Sequence, residues 1–228
     1  MQQNNQSLPK PKLILLDVYE TLLDMSEIER KVNSHLDHKR GYDLWFGLLL
    51  QYCFVDNFLD SFNTFSSIAH ATMKMASKKL DKAVSDNDID AILELMKHLP
   101  LHEDVHEGLS RLYDQSFRIA ALTNSSEAII SERMERTGLI SYFEAVLSAQ
   151  HVKKYKPAIE VYHWAAQKLE LPVGDILMVS AHGWDIAGAK NAGMQTAYIQ
   201  HERDMAYPLV APPDYIATDL PDLVDQLT

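Results

Sequence analysis

The chain has 228 residues, 46% of them apolar, and a net charge of −11. That length holds one α/β domain with an insertion, or two small domains. The acidic balance argues against nucleic acid or an anionic membrane as a partner. The single cysteine, Cys53, rules out an intrachain disulfide and suits a reducing compartment.

The N-terminal stretch MQQNNQSLPKPK is polar and has two prolines. It lacks the apolar run of a signal peptide and is expected to be a flexible tail over residues 1–10. The apolar stretch at 44–50 is broken by Gly47 and is too short to span a bilayer, so a soluble cytoplasmic protein with no membrane contact is expected. KLILLD at 12–17 is a short apolar run ending in an acid, the pattern of a buried parallel strand. Between 26 and 99 the spacing turns helical, with Leu44, Leu48 and Tyr52 followed by Val55, Phe58, Leu59 and Phe62. Ser85 or Asp86 suits the cap of a further helix reaching 98. Three to four helices are expected here, as one insertion.

After Pro100 strands and helices alternate. A helix over 103–115 leads to a strand over 118–122. A helix over 126–137, stopped at Gly138, leads to a strand over 145–147. A helix over 158–169 precedes a strand over 176–179, and a helix over 184–192, stopped at Gly193, precedes a strand over 195–199. A last strand over 215–217 and a short helix close the chain. The expected fold class is α/β, a doubly wound, Rossmann-like parallel sheet with a helical insertion after its first strand. The division is 11–25 with 100–228 for the sheet domain and 26–99 for the insertion. Such sheets form sites at the carboxyl ends of their strands. That rule selects Asp17, Thr123-Asn124 and the segment 180–185.

Each of these residues alone suits ordinary turn or cap chemistry. Asp185 opens a helix, where an acid meets the dipole, and a loop lysine such as Lys156 is commonly a solvated charge. Their order is more specific: an acid after strand one, a helical insertion, Thr-Asn, Lys-Pro, then an acid after a later strand. This resembles the haloacid dehalogenase superfamily, and within it the type II 2-haloacid dehalogenase group. The resemblance covers about residues 12 to 228. It rests on DVYETL at 17–22, YKP at 155–157 with Tyr162 beyond, and SAHGWD at 180–185.

The resemblance implies that Asp17 attacks an electrophilic carbon and forms an aspartyl ester, which water then hydrolyses. Lys156 would keep Asp17 ionised. Thr21 and Asn124 would orient the carboxylate or receive substrate, and Asp185 would orient Lys156 or the water. Tyr19, Phe46, Thr123, Asn124, Tyr162, Ser180, His182 and Trp184 match positions around the substrate. No cofactor is implied. The other cap aromatics, such as Tyr42, Trp45, Tyr52, Phe54 and Phe58, could line an apolar substrate pocket, although at helical spacing they read chiefly as core. A homodimer through the helical cap is an expectation of the resemblance alone.

Phosphatase members place an aspartate two positions after the nucleophile to protonate the leaving alcohol. Here that position is Tyr19, as in the dehalogenases, whose halide leaves without a proton. Four positions depart from the dehalogenase pattern. Phe46 stands where an arginine binds the substrate carboxylate or the halide, Glu20 where glycine is usual, Ala181 where serine is common and His182 where asparagine is common. Three readings follow. The first is a hydrolase acting on a small 2-haloacid. The second is a magnesium-dependent phosphatase using Asp17, Tyr19 and Asp185, and the third a non-catalytic binding module.

Overall fold

The computed structural model describes residues 8–201 and 204–228. The first seven residues of the expected tail lie outside that range. The first strand, β1 (Leu13–Leu16), is buried on both faces, as a central parallel strand must be. It is followed by four helices, α1 (Ser26–His35), α2 (Gly41–Leu59), α3 (Phe65–Lys79) and α4 (Asp86–Leu95). Ser85 is the residue that caps α4, through a reciprocal capping box with Asp88.

Alternation then resumes with α5 (Val105–Asp114), β2 (Arg118–Thr123), α6 (Glu127–Arg136) and β3 (Ala145–Ser148). It continues through α7 (Ile159–Lys168), β4 (Ile176–Ser180), α8 (Gly183–Asn191) and β5 (Gln195–Ile199), and ends with β6 (Tyr215–Ala217) and α9 (Leu220–Leu227). Gly138 and Gly193 follow α6 and α8 with φ of 73° and 86°, the left-handed geometry that ends a helix at glycine.

The strands form one parallel sheet in the order β3-β2-β1-β4-β5-β6. Winding runs outward from β1 to β3, then restarts beside β1 at β4. The switch point therefore lies at the carboxyl end of β1, where a crevice opens. Successive strand residues serve opposite faces. Leu13, Leu15, Ile176 and Met178 pack with Val161, Tyr162 and Ala165 of α7. Ile14, Leu16, Leu177 and Val179 pack with Val105 and Leu109 of α5 and Leu223 of α9, in a cluster continuous with Trp45 and Leu49 of α2. The helical insertion thus shares the core of one sheet face and covers the crevice from above. Among the described residues, no helix is long and apolar enough to cross a membrane.

Candidate active site

Strand register brings the site together. Leu16 pairs with Val179 on one side and Ala121 on the other, so the next residues, Asp17, Ser180 and Leu122, emerge side by side. The Asp17 N–H extends the ladder by donating to the Val179 carbonyl at 2.9 Å. Its carboxylate is buried and held by four donors. Oδ1 accepts from Lys156 Nζ at 2.7 Å. Oδ2 accepts from Thr21 Oγ1 at 3.0 Å, His182 Nδ1 at 2.9 Å and Ser180 Oγ at 3.3 Å. Both hydroxyls are aimed by what they accept. Thr21 Oγ1 takes the Ala181 N–H at 3.0 Å and Ser180 Oγ the His182 N–H at 3.1 Å, which leaves each O–H for Asp17.

Lys156 is fully buried and uses all three of its protons, on Asp17, on Asp185 Oδ2 at 2.6 Å and on the Leu122 carbonyl at 3.0 Å. Burial disfavours its charge, but Asp17 and Asp185 outweigh that and raise its pKa. Burial likewise pushes Asp17 upward, yet Lys156 and His182 overcome it and hold the carboxyl well below the usual range. The nucleophile candidate is therefore a desolvated, ionised carboxylate between two cations.

The second cation is His182. Its Nε2 donates to Glu20 Oε2 at 2.8 Å while Nδ1 serves Asp17. Burial opposes protonation, but the hydrogen bonds and charges of Asp17 and Glu20 prevail and raise the imidazole to about 10. Glu20 has φ of 60°, a conformation that favours glycine, so its side chain is bought at a backbone cost of about 1 kcal/mol. Its other oxygen accepts from Tyr42 Oη of α2 at 2.6 Å, and its carbonyl lies 3.2 Å from His102 Nε2.

Three residues expected at the substrate make their hydrogen bonds to the groups around it instead. Tyr162 is fully buried, and its hydroxyl donates to Asp185 Oδ1 at 2.6 Å. Asn124 brackets the backbone of Lys156, accepting its N–H at 2.8 Å and lying 3.4 Å from its carbonyl oxygen. Thr123 is also buried and accepts the Ser125 N–H at 3.0 Å, shaping the turn after β2.

The aromatic residues surround the carboxylate. Tyr19 is stacked on Phe65 and reaches Ser125 Oγ at 3.5 Å, in the wall of a cavity of about 850 Å³. Phe46 is stacked on His182, with ring centroids 6.1 Å apart. Trp184 sits between His182 and Phe54, and among the described residues its buried indole N–H has no acceptor. On the Glu20 side a cavity of about 1000 Å³ is lined by Tyr42, Phe46 and His102, and also by Lys39 and Arg40. Arg40 is paired there with Asp43 at 2.8 Å. Of the other aromatics, Trp45 is core, whereas Phe58, read as core by its spacing, is 91% exposed.

The donor set does not suit magnesium, which requires several hard oxygen ligands in octahedral array. Lys156 Nζ already lies between Asp17 and Asp185, and Tyr162 caps the remaining oxygen of Asp185. Tyr19 adds no carboxylate. The sequence marks Glu20 only as a departure and Tyr42 only as a helical aromatic, in the core or lining an apolar pocket. The usable signal was that Glu20 and His182 depart together.

The haloacid dehalogenase-like hydrolase profile matches residues 14–199. An (S)-2-haloacid dehalogenase of Pseudomonas putida is 24% identical over 94% of this chain and 96% of its own. A crystal structure of an L-2-haloacid dehalogenase superposes with a TM-score of 0.90 at 20% identity, covering 96% of this chain and 99% of the other. An L-2-haloacid dehalogenase from Xanthobacter autotrophicus with chloropropionic acid covalently bound gives 0.86 at 18% identity, covering 95% and 98%. The structural likeness shows a common fold. With the profile spanning most of the sequence, this chain belongs to the haloacid dehalogenase-like hydrolase family.

Proposed function

We propose that the protein hydrolyses the carbon–halogen bond of a small 2-haloacid through an ester on Asp17. The observation that carries this reading is the unequal loading of the two Asp17 oxygens. Among the described residues, Oδ2 accepts three hydrogen bonds, which is more than its lone pairs accommodate well, whereas Oδ1 accepts one, from Lys156. Oδ1 therefore keeps a lone pair for in-line attack on carbon. The carbon–halogen bond breaks, halide departs with its electron pair, and Asp17 loses its charge. Among the described residues the buried Trp184 N–H lacks an acceptor, and we assign it as a donor to the departing halide. Halide needs no proton, which agrees with Tyr19 at the general-acid position.

Loss of the Asp17 charge removes one of the two anions that hold His182 protonated. The imidazole releases its Nδ1 proton to solvent and keeps the Nε2 proton on Glu20. Neutral His182 is then a general base beside the ester. It takes a proton from water as hydroxide adds to the Asp17 carbonyl carbon. Negative charge develops on Oδ2, where Thr21 and Ser180 donate. Collapse expels the hydroxyacid alkoxide, which takes the proton of the new Asp17 carboxyl. The sum is haloacid plus water giving hydroxyacid, halide and one proton. Phe46 cannot bind a substrate carboxylate, and the cavity beside it sets Lys39 and Arg40 among five acids, Glu20, Asp24, Glu29, Asp43 and Asp204, so its wall favours a small substrate with little further negative charge.

The test is halide release from a panel of 2-haloacids, beside phosphate release from phosphate esters, each with and without magnesium. Halide release that survives chelation and disappears in Asp17→Asn is expected. Magnesium-dependent phosphate release without halide release overturns the reading in favour of a phosphatase. Neither activity leaves a binding module.

A further inference from the structure

Glu20 lies in the wall of the larger cavity, and its side chain is 30% exposed. A glutamate there has several rotamers open to it, and any that faces solvent leaves His182 without its second partner. One contact from outside the sheet domain closes off those rotamers. Tyr42, in the first turn of α2, donates its hydroxyl to Glu20 Oε1 while His182 takes Oε2. Burial, reinforced by the Glu20 charge, keeps the Tyr42 hydroxyl protonated, so it serves there as a donor. Tyr42 is itself fixed, because its N–H donates to Asn33 Oδ1 of α1 at 2.9 Å. One turn further along α2, Phe46 stacks on Tyr42 with ring centroids 5.5 Å apart and also stacks on His182. A single face of α2 therefore grips both members of the Glu20–His182 pair.

We infer that Tyr42 is a positioning residue for the hydrolytic step, which locks Glu20 against His182 so that the water-activating pair is complete only while α2 is seated over the sheet. This rests on the assignment of His182 as base for the Asp17 ester. Tyr42 touches neither Asp17 nor the reacting carbon in this arrangement. It acts after ester formation, through Glu20, and leaves the attack by Asp17 to Lys156.

The experiment uses full-length wild type and Tyr42→Phe, which keeps the ring stacked on Phe46 and removes the hydroxyl. Enzyme in excess is mixed with 2-chloropropionate and quenched at intervals. Chloride reports ester formation, and intact-protein mass reports ester decay. The expected result is ester formation within about twofold of wild type and decay slowed about tenfold, a part of what a general base contributes. In steady state kcat and KM then fall together while kcat/KM holds. Unchanged ester decay overturns the inference. So does equal slowing of both steps, which is the mark of a merely structural residue. A second measurement does not depend on turnover. The His182 Nε2 proton is followed by NMR in the free enzyme, where release of Glu20 in Tyr42→Phe is expected to speed its exchange with water. An unaltered exchange rate overturns the inference. Absence of any ester in wild type, with exchange altered in the variant, would instead overturn the dehalogenase reading and with it the hydrolytic role of Tyr42, while upholding its hold on Glu20 and His182.

Discussion

Glu20 and His182 stand 162 positions apart in the chain and meet at 2.8 Å beside the Asp17 carboxylate. Each departs from the usual dehalogenase pattern, and the two departures answer one another. The glutamate stands at φ of 60°, a conformation that glycine adopts more readily. A histidine in place of asparagine acquires a charge that the glutamate balances. Phe46, a third departure, covers the pair.

Replacing Glu20 with glutamine keeps the backbone conformation and the contact with Tyr42 but removes the charge. His182 is then expected to titrate at lower pH, measured by NMR of its ring. If the pair activates water, kcat falls by about 100-fold, within the range of a general base, while the first turnover of halide release persists. A full steady-state rate in Glu20→Gln would rule the pair out as base.

Lys156→Ala leaves Asp17 and Asp185 buried together without their shared cation. Removing one partner of a buried ion pair costs about 3–5 kcal/mol, and denaturant unfolding should show a loss of that size. Asp17 loses its strongest opposing charge, so its pKa rises, and any residual activity should decline at higher pH on the acid side than in wild type.

The raised pKa of His182 makes stability depend on pH in a definite direction. The folded protein keeps this proton up to about 10, whereas an unfolded histidine loses it near 6.5. The stabilisation is whole below pH 6.5 and is lost as pH rises through about 10. Among the described residues, the groups facing the ring are Asp17, Glu20, Phe46 and Trp184. Thermal melts should show Tm falling across that window in wild type and a flatter profile in His182→Asn.

Gly188 on α8 is a packing constraint on the site. A Cβ there would lie 2.4 Å from Pro157 Cβ and 2.6 Å from the Tyr162 hydroxyl. Gly188→Ala must displace the residue after Lys156 or the donor to Asp185. A loss of about 1–3 kcal/mol is expected from overpacking, with a parallel drop in the rate of ester formation. An alanine variant equal to wild type in both would mean that this contact is loose.

The order of elements was legible from the sequence because apolar spacing reports which faces are buried. The run at Leu13–Leu16, the alternation after Pro100 and the glycines after α6 and α8 are local signals, and the parallel sheet follows from them. Asp17, Lys156 and Asp185 were also legible, since each stands at a strand end or helix start. Their partners were not. Whether Asn124 faces substrate or braces Lys156, and whether Tyr162 meets the cleft or Asp185, depends on side-chain direction at positions 32 and 23 residues from their partners. The pairing of β1 with β4 puts Asp17 next to Ser180, and only then does His182 come within reach of Glu20. Tyr42 joins them because α2 lies across the crevice. Sequence alone thus determined the sheet, the carboxylate and its lysine, because burial and chain turns are local matters. The tertiary structure decided which polar groups share protons, because a hydrogen bond requires a separation of about 3 Å that only the packed fold imposes.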